Sequence, residues 1–592
     1  MSYCKYKDAP PEVTINKIKE CFRSIGIELE ERVVMRMEGI FSSTILDRNT
    51  GWAAAGKGTN ELYCLASGYA EAMEHFCNYC AYDLSILDED AQKYLGFYRY
   101  PDERRIAITN FDKINSGLRG DIEAAFTLEG DSFSEEKAIE AWSSFLENEE
   151  ISLVPYYSVK NKKVEYLPEA VLGKLCGSTG GGAGNTPEEA IGHALDEISE
   201  RYAKYVIYSQ ELTPPDVSKE FIADKCPELY RIIAMIEEKG NYKVLIKDAS
   251  LGKNYPVLAV CLINQDTHSY VVNFGAHPVF KIALERCLTE MFQFMNLNTV
   301  KSTRHKKMTK WSSFERETHS IRNWTSLLRD DTGTIPTAFF AGESSWDFEP
   351  WGFYENYSNK KGMQQQICNF LNNNVKDIFI RDFSFLGFPV YRVYIPGVSV
   401  SHFTINDRTM YLFSESSRLV KCIVNNEIEK LEVEDIEVLE EAFSKKSYVG
   451  TWVIRSLNED YLDLLHAALI KDSINEQEAL KEVVEIETDF ANAIIEDSIM
   501  HKQGKKIEER NTIIELFYGK FVMDLVHDWR NEDTFISLIK LYRDYKLVSI
   551  KKGYEYIEPI QLVHKKLKEK MVKELPSQKH IQSVVEDSQI KQ

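Results

Sequence analysis

The sequence predicts an α+β protein, with a mixed α/β core followed by an all-α, loosely tetratricopeptide-like C-terminal domain. Three observations lead to this prediction. Up to about residue 405, apolar runs of strand length alternate with amphipathic helical segments. Some of these runs stand at hairpin spacing, which argues against a purely parallel sheet. Beyond about residue 407, helical periodicity continues with few strand signals.

The length of the chain predicts more than one domain, because 592 residues exceed what one hydrophobic core usually supports. We expect a core over residues 1–405, a helical domain over 406–575 and a polar tail over 576–592. No strict 34-residue repeat is visible, so the tetratricopeptide comparison is a loose one.

The elements of the predicted core follow from local signals. A helix should run from Glu12 to Ile25, because two prolines precede it and Gly26 ends it. Strand-like sequence covers residues 33–44, and a helix is expected over 61–79. The apolar runs 255–264 and 269–278 should pair as adjacent strands, and a helix should follow them. The last strand of the core is expected at 390–402.

The C-terminal domain is predicted from successive amphipathic segments at residues 425–443, 475–499 and 507–529. Their apolar residues recur at helical spacing. Helical hairpins of this kind more often form scaffolds or interfaces than active sites.

Composition excludes some classes of protein. A net charge of −21 argues against a dedicated nucleic-acid binder, although a small anion could still bind through a metal ion. The N-terminus carries no apolar signal segment, and the longest apolar run, residues 255–263, is too short to span a bilayer. We expect a soluble, cytoplasmic protein with reduced cysteines and no membrane contact.

A glycine-rich run, GSTGGGAGNTPEEA, occupies residues 177–190 directly before a helix start. Backbone N–H groups in such a run could hold phosphate. It is not a Walker loop, because Asn185 and Thr186 follow Gly184 where that motif requires lysine and serine or threonine. We interpret it as a flexible entry loop that lets the backbone and Asn185 approach a nucleotide or peptide.

Three predicted helices share a polar stripe opposite an apolar one. In the first helix the apolar face holds Leu62, Leu65, Ala66, Tyr69, Met73 and Phe76, and the polar stripe holds Ser67, Glu71, Glu74 and Asn78. In the second, Ile191, Ala194, Leu195, Ile198 and Tyr202 face inward, while Glu197, Glu200 and Arg201 face outward. In the third, Leu284, Leu288 and Met291 oppose Arg286, Glu290 and Gln293.

Two interpretations of these stripes are open from periodicity alone. The first is that they are ordinary solvated faces, which describes most surface helices. The second is that they face one another across a cleft, where hard carboxylate oxygens would suit Mg²⁺ bound together with substrate phosphates.

The same segments resemble the YcaO family. GKGTNELYCLASGYAEAMEHF is similar to its Gly-Lys-Gly and Ser-x-x-x-Glu-x-x-Glu region, and GAGNTPEEAIGHALDEISERYAKY to its Gly-Asn-Thr and Glu-x-x-Glu-Arg region. FGAHPVFKIALERCLTEMFQ resembles its Gly-x-His-Pro and Arg-x-x-x-Glu-x-x-Gln region. The three stand in the family's order over roughly residues 5–400, and the helical extension resembles the stand-alone YcaO type.

The resemblance implies a YcaO-type fold and an enzyme that uses ATP and Mg²⁺ to phosphorylate the oxygen of a peptide backbone amide before a nucleophile attacks the carbon. Cyclodehydration, amidine formation, thioamide formation and cleavage are the possible outcomes. The alternative is an ATP-binding accessory protein that supports methylthiolation of a ribosomal protein. The implied partners are a peptide or protein substrate, a sulfur-transfer or methylthiotransferase protein, and a second copy in a homodimer.

The resemblance also assigns site residues. The implied metal ligands are Glu71, Glu74, Glu197, Glu200 and Glu290. The implied nucleotide contacts are Lys7, Thr14, Ser67, Asn185, Arg201 and Arg286. The implied catalytic residues are Glu200, Arg201, Gln293 and Arg286. Lys57 is a weaker candidate, expected to be structural for its turn.

Two positions depart from the family pattern. His75 stands where the first motif commonly has arginine, so either a titratable group replaces that arginine or the position never touches ATP. We favour the second interpretation, because Arg201 and Arg286 are present. The C-terminus, DSQIKQ, lacks the proline-rich tail typical of azoline-forming members, which argues against plain azoline synthesis.

Overall fold

The computed structural model describes residues 6–47, 52–79, 100–107, 118–121, 150–266, 269–293, 306–307, 335–340, 342–352, 357–399, 489–531 and 557–586. The helix predicted at 425–443 and most of the one at 475–499 lie outside these ranges.

Helices occur on both sides of residue 400. They are α1 (Pro11–Ile25), α2 (Glu61–Tyr79), α3 (Glu169–Cys176), α4 (Pro187–Ser209), α5 (Lys219–Lys225), α6 (Pro227–Gly240), α7 (Phe280–Met291), α8 (Asn359–Asn372), α9 (Asp489–Lys502), α10 (Ile507–Tyr518), α11 (Lys520–Asn531), α12 (Ile557–Glu574) and α13 (Ile581–Glu586). None of the helices in the described part of the chain is long and apolar enough to cross a bilayer.

The described strands all precede residue 400. They are β1 (Leu29–Met37), β2 (Ile40–Asp47), β3 (Ala53–Gly58), β4 (Arg104–Ala107), β5 (Glu150–Ser158), β6 (Lys163–Leu167), β7 (Gly181–Ala183), β8 (Tyr242–Asp248), β9 (Val257–Asn264), β10 (Ser269–Ala276), β11 (Lys306–Lys307), β12 (Phe379–Asp382) and β13 (Val390–Tyr394). This mixture confirms the predicted α+β core, and the described segments between residues 489 and 574 are helical, as predicted. Helix α13 lies within the segment expected to be a polar tail.

The strands form antiparallel sheets. One sheet has the order β1-β2-β3, a second β11-β10-β9-β8, and a third β4-β5-β12-β13-β7 with β6 beside β5. The predicted pairing of the two apolar runs is confirmed, with Val272 opposite Cys261 in the β9–β10 register. The strand-like sequence at 33–44 is divided in two, because Gly39 adopts a positive φ of 81° and turns β1 into β2.

The helix predicted at the N-terminus is confirmed as α1. Pro11 begins it, and Gly26 ends it in the left-handed conformation, with its N–H donating to the carbonyl of Arg23. Helix α2 has the predicted bounds, but one residue of its predicted apolar face is misplaced. Leu62, in the first turn of the helix, is exposed, whereas Tyr69, Met73 and Phe76 are buried.

Helix α4 lies at the centre of the apolar core. Its inward residues pack with α8 and with strands β9, β10 and β13, as predicted; they include Ile191, Ala194, Leu195 and Ile198. Helices α2 and α7 each approach the same region, α2 through β7 and α7 through β10. The three helices with polar stripes are therefore neighbours in space.

The segment 557–586 packs on the core. Val563, Leu567 and Met571 of α12 join the apolar cluster that contains Phe22 of α1. Further along, the Gln578 side chain accepts from the N–H of Asp382 at 2.7 Å. The division into domains at residues 405 and 575 stays a prediction.

Candidate functional site

One face of α4 carries a line of polar residues. Thr186 caps the helix by accepting from the N–H of Glu189, and Pro187 occupies the first helical position. Glu189, His193, Asp196 and Glu200 are then spaced four, three and four residues apart, which places them on one side of the helix. At 1.5 Å per residue, the line from Glu189 to Glu200 is about 16 Å long. Each end of it belongs to a different cluster.

The first cluster, which we call the Glu189 cluster, comprises Lys7, Asp8, Thr14, Asn185 and Glu189. The Glu189 carboxylate accepts from the N–H of Asp8 at 3.0 Å, from Asn185 Nδ2 at 3.2 Å and from Lys7 Nζ at 3.1 Å. Thr14 Oγ1 donates to Asn185 Oδ1 at 2.8 Å. The structure therefore brings together three predicted nucleotide contacts that are far apart in sequence.

The Glu189 carboxylate is ionised. Burial works to raise its pKa, but Lys7, the Asp8 N–H and Asn185 outweigh burial and hold the pKa below its usual value. Sequence reasoning missed Glu189 as a site residue. The signal was available, because Glu189 stands four residues after Asn185, at the spacing of neighbours on one helical face.

The second cluster, which we call the acidic cluster, comprises Glu71, Glu74, Glu197, Glu200 and Glu290. These residues come from α2, α4 and α7. Cationic side chains are interleaved with them: Lys57 contacts Glu290, and Arg201 donates to Glu197 at 3.1 Å. The N–H of Gly180 donates to the other oxygen of Glu197 at 3.0 Å. The polar stripes thus converge, as the second of the two open interpretations required.

The acidic cluster combines partial burial with access to solvent. The side chains of Glu71, Glu290 and Lys57 keep 40%, 36% and 25% of their surface accessible. Burial is nevertheless the largest influence on the pKa of both Glu71 and Lys57. We therefore interpret the surface that these groups form as the wall of a cleft that a ligand can reach.

The carboxylates of this cluster repel one another. Burial and the charges of Glu197 and Glu71 raise the pKa of Glu74 to about 8, against the attraction of His75. Burial likewise raises the pKa of Glu200, although Lys57 and Arg201 oppose the shift. The cleft thus holds more acidic groups than its own cations neutralise.

His75 lies within the acidic cluster. Its Nε2 is 3.3 Å from Glu71 Oε1. Burial disfavours the charged imidazole, but the bond to Glu71 and the charges of Glu74 and Glu197 raise the pKa of His75 to about 9. At neutral pH it is therefore a cation within the acidic cluster. The expectation that this position does not contact ATP stays a prediction.

Arg286 lies between the two clusters. Its Nη1 donates to Asp196 Oδ2 at 2.8 Å and to the carbonyl of Ala276 at 2.6 Å. Burial raises the pKa of Asp196 to about 6, while Arg286 opposes the shift. Burial and the charge of Arg286 lower the pKa of His193 and of His277 well below the usual value, so both rings are neutral. Sequence reasoning assigned no role to Asp196 or His193, whose spacing from Glu189 and Glu200 was the available signal.

The glycine-rich run is not the flexible loop expected from sequence. Gly181–Ala183 forms strand β7, which pairs with β13 and is buried. A Cβ atom on Gly182 would lie 2.2 Å from the carbonyl oxygen of Ala190, and one on Gly181 would lie 2.8 Å from Glu74 Oε1. Glycine is required here because the strand passes directly between helices α2 and α4.

The structure also shows where the remaining candidates from the sequence lie, namely Lys57, Ser67 and Gln293. Lys57 lies in strand β3 and not in a turn, and its charge faces Glu71, Glu200 and Glu290. The Ser67 hydroxyl accepts from the N–H of Lys57 at 3.4 Å. Gln293 is buried at the end of α7, and within the described residues its side chain makes no hydrogen bond to the acidic cluster. The catalytic role of Gln293 therefore stays a prediction.

The donor set of the acidic cluster fits Mg²⁺. Its oxygens are hard ligands, and a divalent cation would offset the burial and the mutual repulsion that together raise the pKa of Glu74. Within the described ranges, no group of three or more His, Cys, Asp or Glu side chains is already assembled to hold a metal ion. The assignment of individual ligands therefore stays a prediction.

A known family and several known proteins match the part of the chain that contains most of these residues. The family model for the YcaO cyclodehydratase, described as ATP- and Mg²⁺-binding, matches residues 55–399. The chain is 28% identical over 396 residues to the ribosomal protein S12 methylthiotransferase accessory factor YcaO of Escherichia coli strain K12. It is 27% identical over 405 residues to an uncharacterized protein of Haemophilus influenzae. Each alignment covers 66% of this chain and spans 65% of the length of the relative.

Two solved structures are also similar. A heterocyclase in complex with substrate and cofactor is 17% identical, with a TM-score of 0.43 over 66% of this chain and 52% of that chain. YcaO from Methanopyrus kandleri, bound with AMPPCP and Mg²⁺, is 17% identical, with a TM-score of 0.42 over 66% of this chain and 92% of that chain.

The family match includes all three motif regions and both clusters except for Lys7, Asp8 and Thr14, which precede it. The expectation of ATP and Mg²⁺ as cofactors is confirmed by the description of the family domain. Because the YcaO family model matches more than half of the residues of this chain, the chain belongs to the YcaO family.

Proposed function

We propose that this chain uses ATP and Mg²⁺ to activate a backbone amide of a peptide or protein by phosphorylating its carbonyl oxygen. The observation that carries the proposal is the arrangement along α4, where an ionised, fully bonded cluster stands at one end and a cleft rich in carboxylates stands at the other. The family domain is of the ATP- and Mg²⁺-binding cyclodehydratase type.

The two ends suit different parts of a nucleotide. The Glu189 carboxylate would repel phosphate but can accept from ribose hydroxyls, so the nucleoside belongs at that end. Arg286, in the middle, and Arg201, at the far end, offer guanidinium donors to the triphosphate. The terminal phosphate would then lie near the acidic cluster.

The acidic cluster would hold Mg²⁺ through some of Glu71, Glu74, Glu197, Glu200 and Glu290. When bound, Mg²⁺ supplies positive charge that offsets the charge developing on the transferring phosphoryl group. The protein's own part is to orient the triphosphate with Arg201 and Arg286 and to place the amide oxygen in line with the terminal phosphorus. In the proposed transfer, the amide oxygen forms a bond to the terminal phosphorus while the bond from that phosphorus to the bridging oxygen breaks, so that ADP leaves. A nucleophile then attacks the amide carbon, and the C–O bond breaks with release of phosphate.

A second function is favoured by one comparison. The Escherichia coli relative is named as an accessory factor of the ribosomal protein S12 methylthiotransferase. In that case this chain would bind ATP and support a sulfur-transfer or methylthiotransferase partner, and substrate modification would require that partner.

Turnover of ATP with and without candidate peptides tests the proposal. Glu200→Ala should lower turnover about 100-fold or more, because it removes a carboxylate at the reacting end of the site. Glu238→Ala removes an exposed carboxylate on α6 and should leave turnover unchanged. Phosphate release in step with a change in peptide mass supports catalysis, whereas a mass change that appears only with a partner enzyme supports the accessory role. Undiminished turnover in Glu200→Ala would contradict the proposed site.

A further inference from the structure

Arg286 is fixed from one side by two acceptors. Its Nη1 donates to Asp196 Oδ2 at 2.8 Å and to the carbonyl of Ala276 at 2.6 Å. Nη2 and Nε make no hydrogen bond to any residue that the structure describes. The Asp196 side chain is only 4% exposed, whereas that of Arg286 is 22% exposed. The guanidinium is therefore anchored at its buried edge, and its other edge can still meet a ligand.

Asp196 determines where the Asp196–Arg286 pair lies along α4, between the two clusters. Asp196 stands seven residues after Glu189 and four before Glu200, so it lies about 10 Å from the first and about 6 Å from the second along the helix axis. Phosphates that bridge a nucleoside at the Glu189 cluster and a metal at the acidic cluster would pass this point. A freely rotating arginine would have to be ordered when nucleotide binds, at a cost in conformational entropy that anchoring removes.

We propose that Asp196 is a positioning residue that holds Arg286 in the orientation in which it receives the triphosphate. This inference rests on the proposed function, since it takes Arg286 as a phosphate contact. It assigns a role to Asp196, which does not itself touch the nucleotide. The buried, charge-assisted hydrogen bond is of the strong kind, which suits it to fix a side chain in one geometry.

A double-mutant cycle on the full chain tests the inference by measuring the binding of Mg–ATP and of adenosine. Asp196→Ala should weaken Mg–ATP binding about ten-fold, the size expected for the loss of a hydrogen bond to a charged group. Asp196→Asn keeps an oxygen acceptor and should weaken it by a smaller factor. Adenosine should bind all variants equally, because the Glu189 cluster is unchanged. Thermal unfolding establishes that each variant is folded.

The cycle separates positioning from a merely structural role. If Asp196 acts through Arg286, the double variant Asp196→Ala/Arg286→Ala should bind Mg–ATP as weakly as Arg286→Ala alone. The inference would be overturned if the effects of the two substitutions multiplied in the double variant, or if Asp196→Ala bound Mg–ATP with wild-type affinity. In both cases the wild type would still bind Mg–ATP, so the proposed function would stand. A wild-type chain that binds no Mg–ATP would overturn the proposed function and this inference together.

Discussion

The two ends of the polar line on α4 differ in how completely their charges are satisfied. In the Glu189 cluster, one carboxylate accepts from three donors and its pKa is lowered. In the acidic cluster, burial and the charges of neighbouring carboxylates raise the pKa of Glu74 to about 8. Both lie in the same fold, on the same helix, within about 16 Å.

This difference indicates how each end is completed. The Glu189 cluster is already organised by the protein alone, so binding there requires little rearrangement. The acidic cluster holds more carboxylates than its three cations, Lys57, His75 and Arg201, can neutralise. Under the proposed function, a bound cation would offset this imbalance, so we expect metal binding to be coupled to nucleotide binding at that end.

The largest effect on nucleoside affinity is expected from disrupting the Glu189 cluster. Glu189→Ala leaves the Asp8 N–H and Asn185 without their acceptor, so adenosine and Mg–ATP should both bind about ten-fold more weakly. Glu200→Ala, in contrast, should spare adenosine binding. The matched control is Glu188→Ala, which removes the adjacent carboxylate on the same helix and should change neither affinity. Unaltered adenosine affinity in Glu189→Ala would break the distinction between the two ends.

The next effect concerns strand β7, which supports the acidic cluster. In Gly182→Ala the new methyl group meets a backbone carbonyl, so the variant should lose about 1–3 kcal/mol of unfolding free energy. In Gly181→Ala it meets the Glu74 carboxylate, which can move, so this variant should weaken Mg²⁺ binding with a smaller loss of stability.

Gly192→Ala serves as the control for both glycine variants. Gly192 lies inside α4, and a Cβ atom there would have Met363 as its nearest neighbour at 3.9 Å. Alanine should therefore leave stability unchanged or raise it by up to about 1 kcal/mol, because it is a better helix former. Chemical denaturation and Mg²⁺ titration measure the two properties separately, and a Gly182→Ala variant as stable as Gly192→Ala would contradict the close packing of β7.

The smallest effect is a dependence on pH. The folded-state pKa of Glu74, about 8, lies above the value for an unfolded chain, so the folded state retains this proton longer and loses stability as pH rises towards 8. Mg²⁺ requires the ionised carboxylate. The rise in melting temperature caused by Mg²⁺ should therefore be larger at pH 8 than at pH 6, and Glu74→Gln should reduce that difference. An equal rise at both pH values in the wild type would count against Glu74 as a ligand.

Much of the core could be predicted because the signals for it are local. Two prolines and Gly26 determine the ends of α1, and apolar periodicity determines α2, β9 and β10. The exposure of Leu62 could not be predicted, because helical periodicity specifies a face but not which positions along that face other elements cover. The glycine-rich run was misjudged for a related reason: glycine marks both mobile loops and close approaches, and only the neighbours distinguish the two.

The sequence by itself determined the elements, the polar stripes and the motif resemblance, because these depend on spacing of a few residues along one chain. Only the tertiary structure decided that the stripes converge, that Lys7 and Thr14 meet Asn185 and Glu189, and that Asp196 anchors Arg286. These contacts join residues that are distant in sequence, such as Asp8 and Glu189, which are 181 positions apart. Their electrostatics depend on burial and on charges from other elements. Local sequence patterns show neither the burial of a group nor the charges that other elements bring close to it. How well the charges at each end of α4 are satisfied could therefore be seen only in the folded chain.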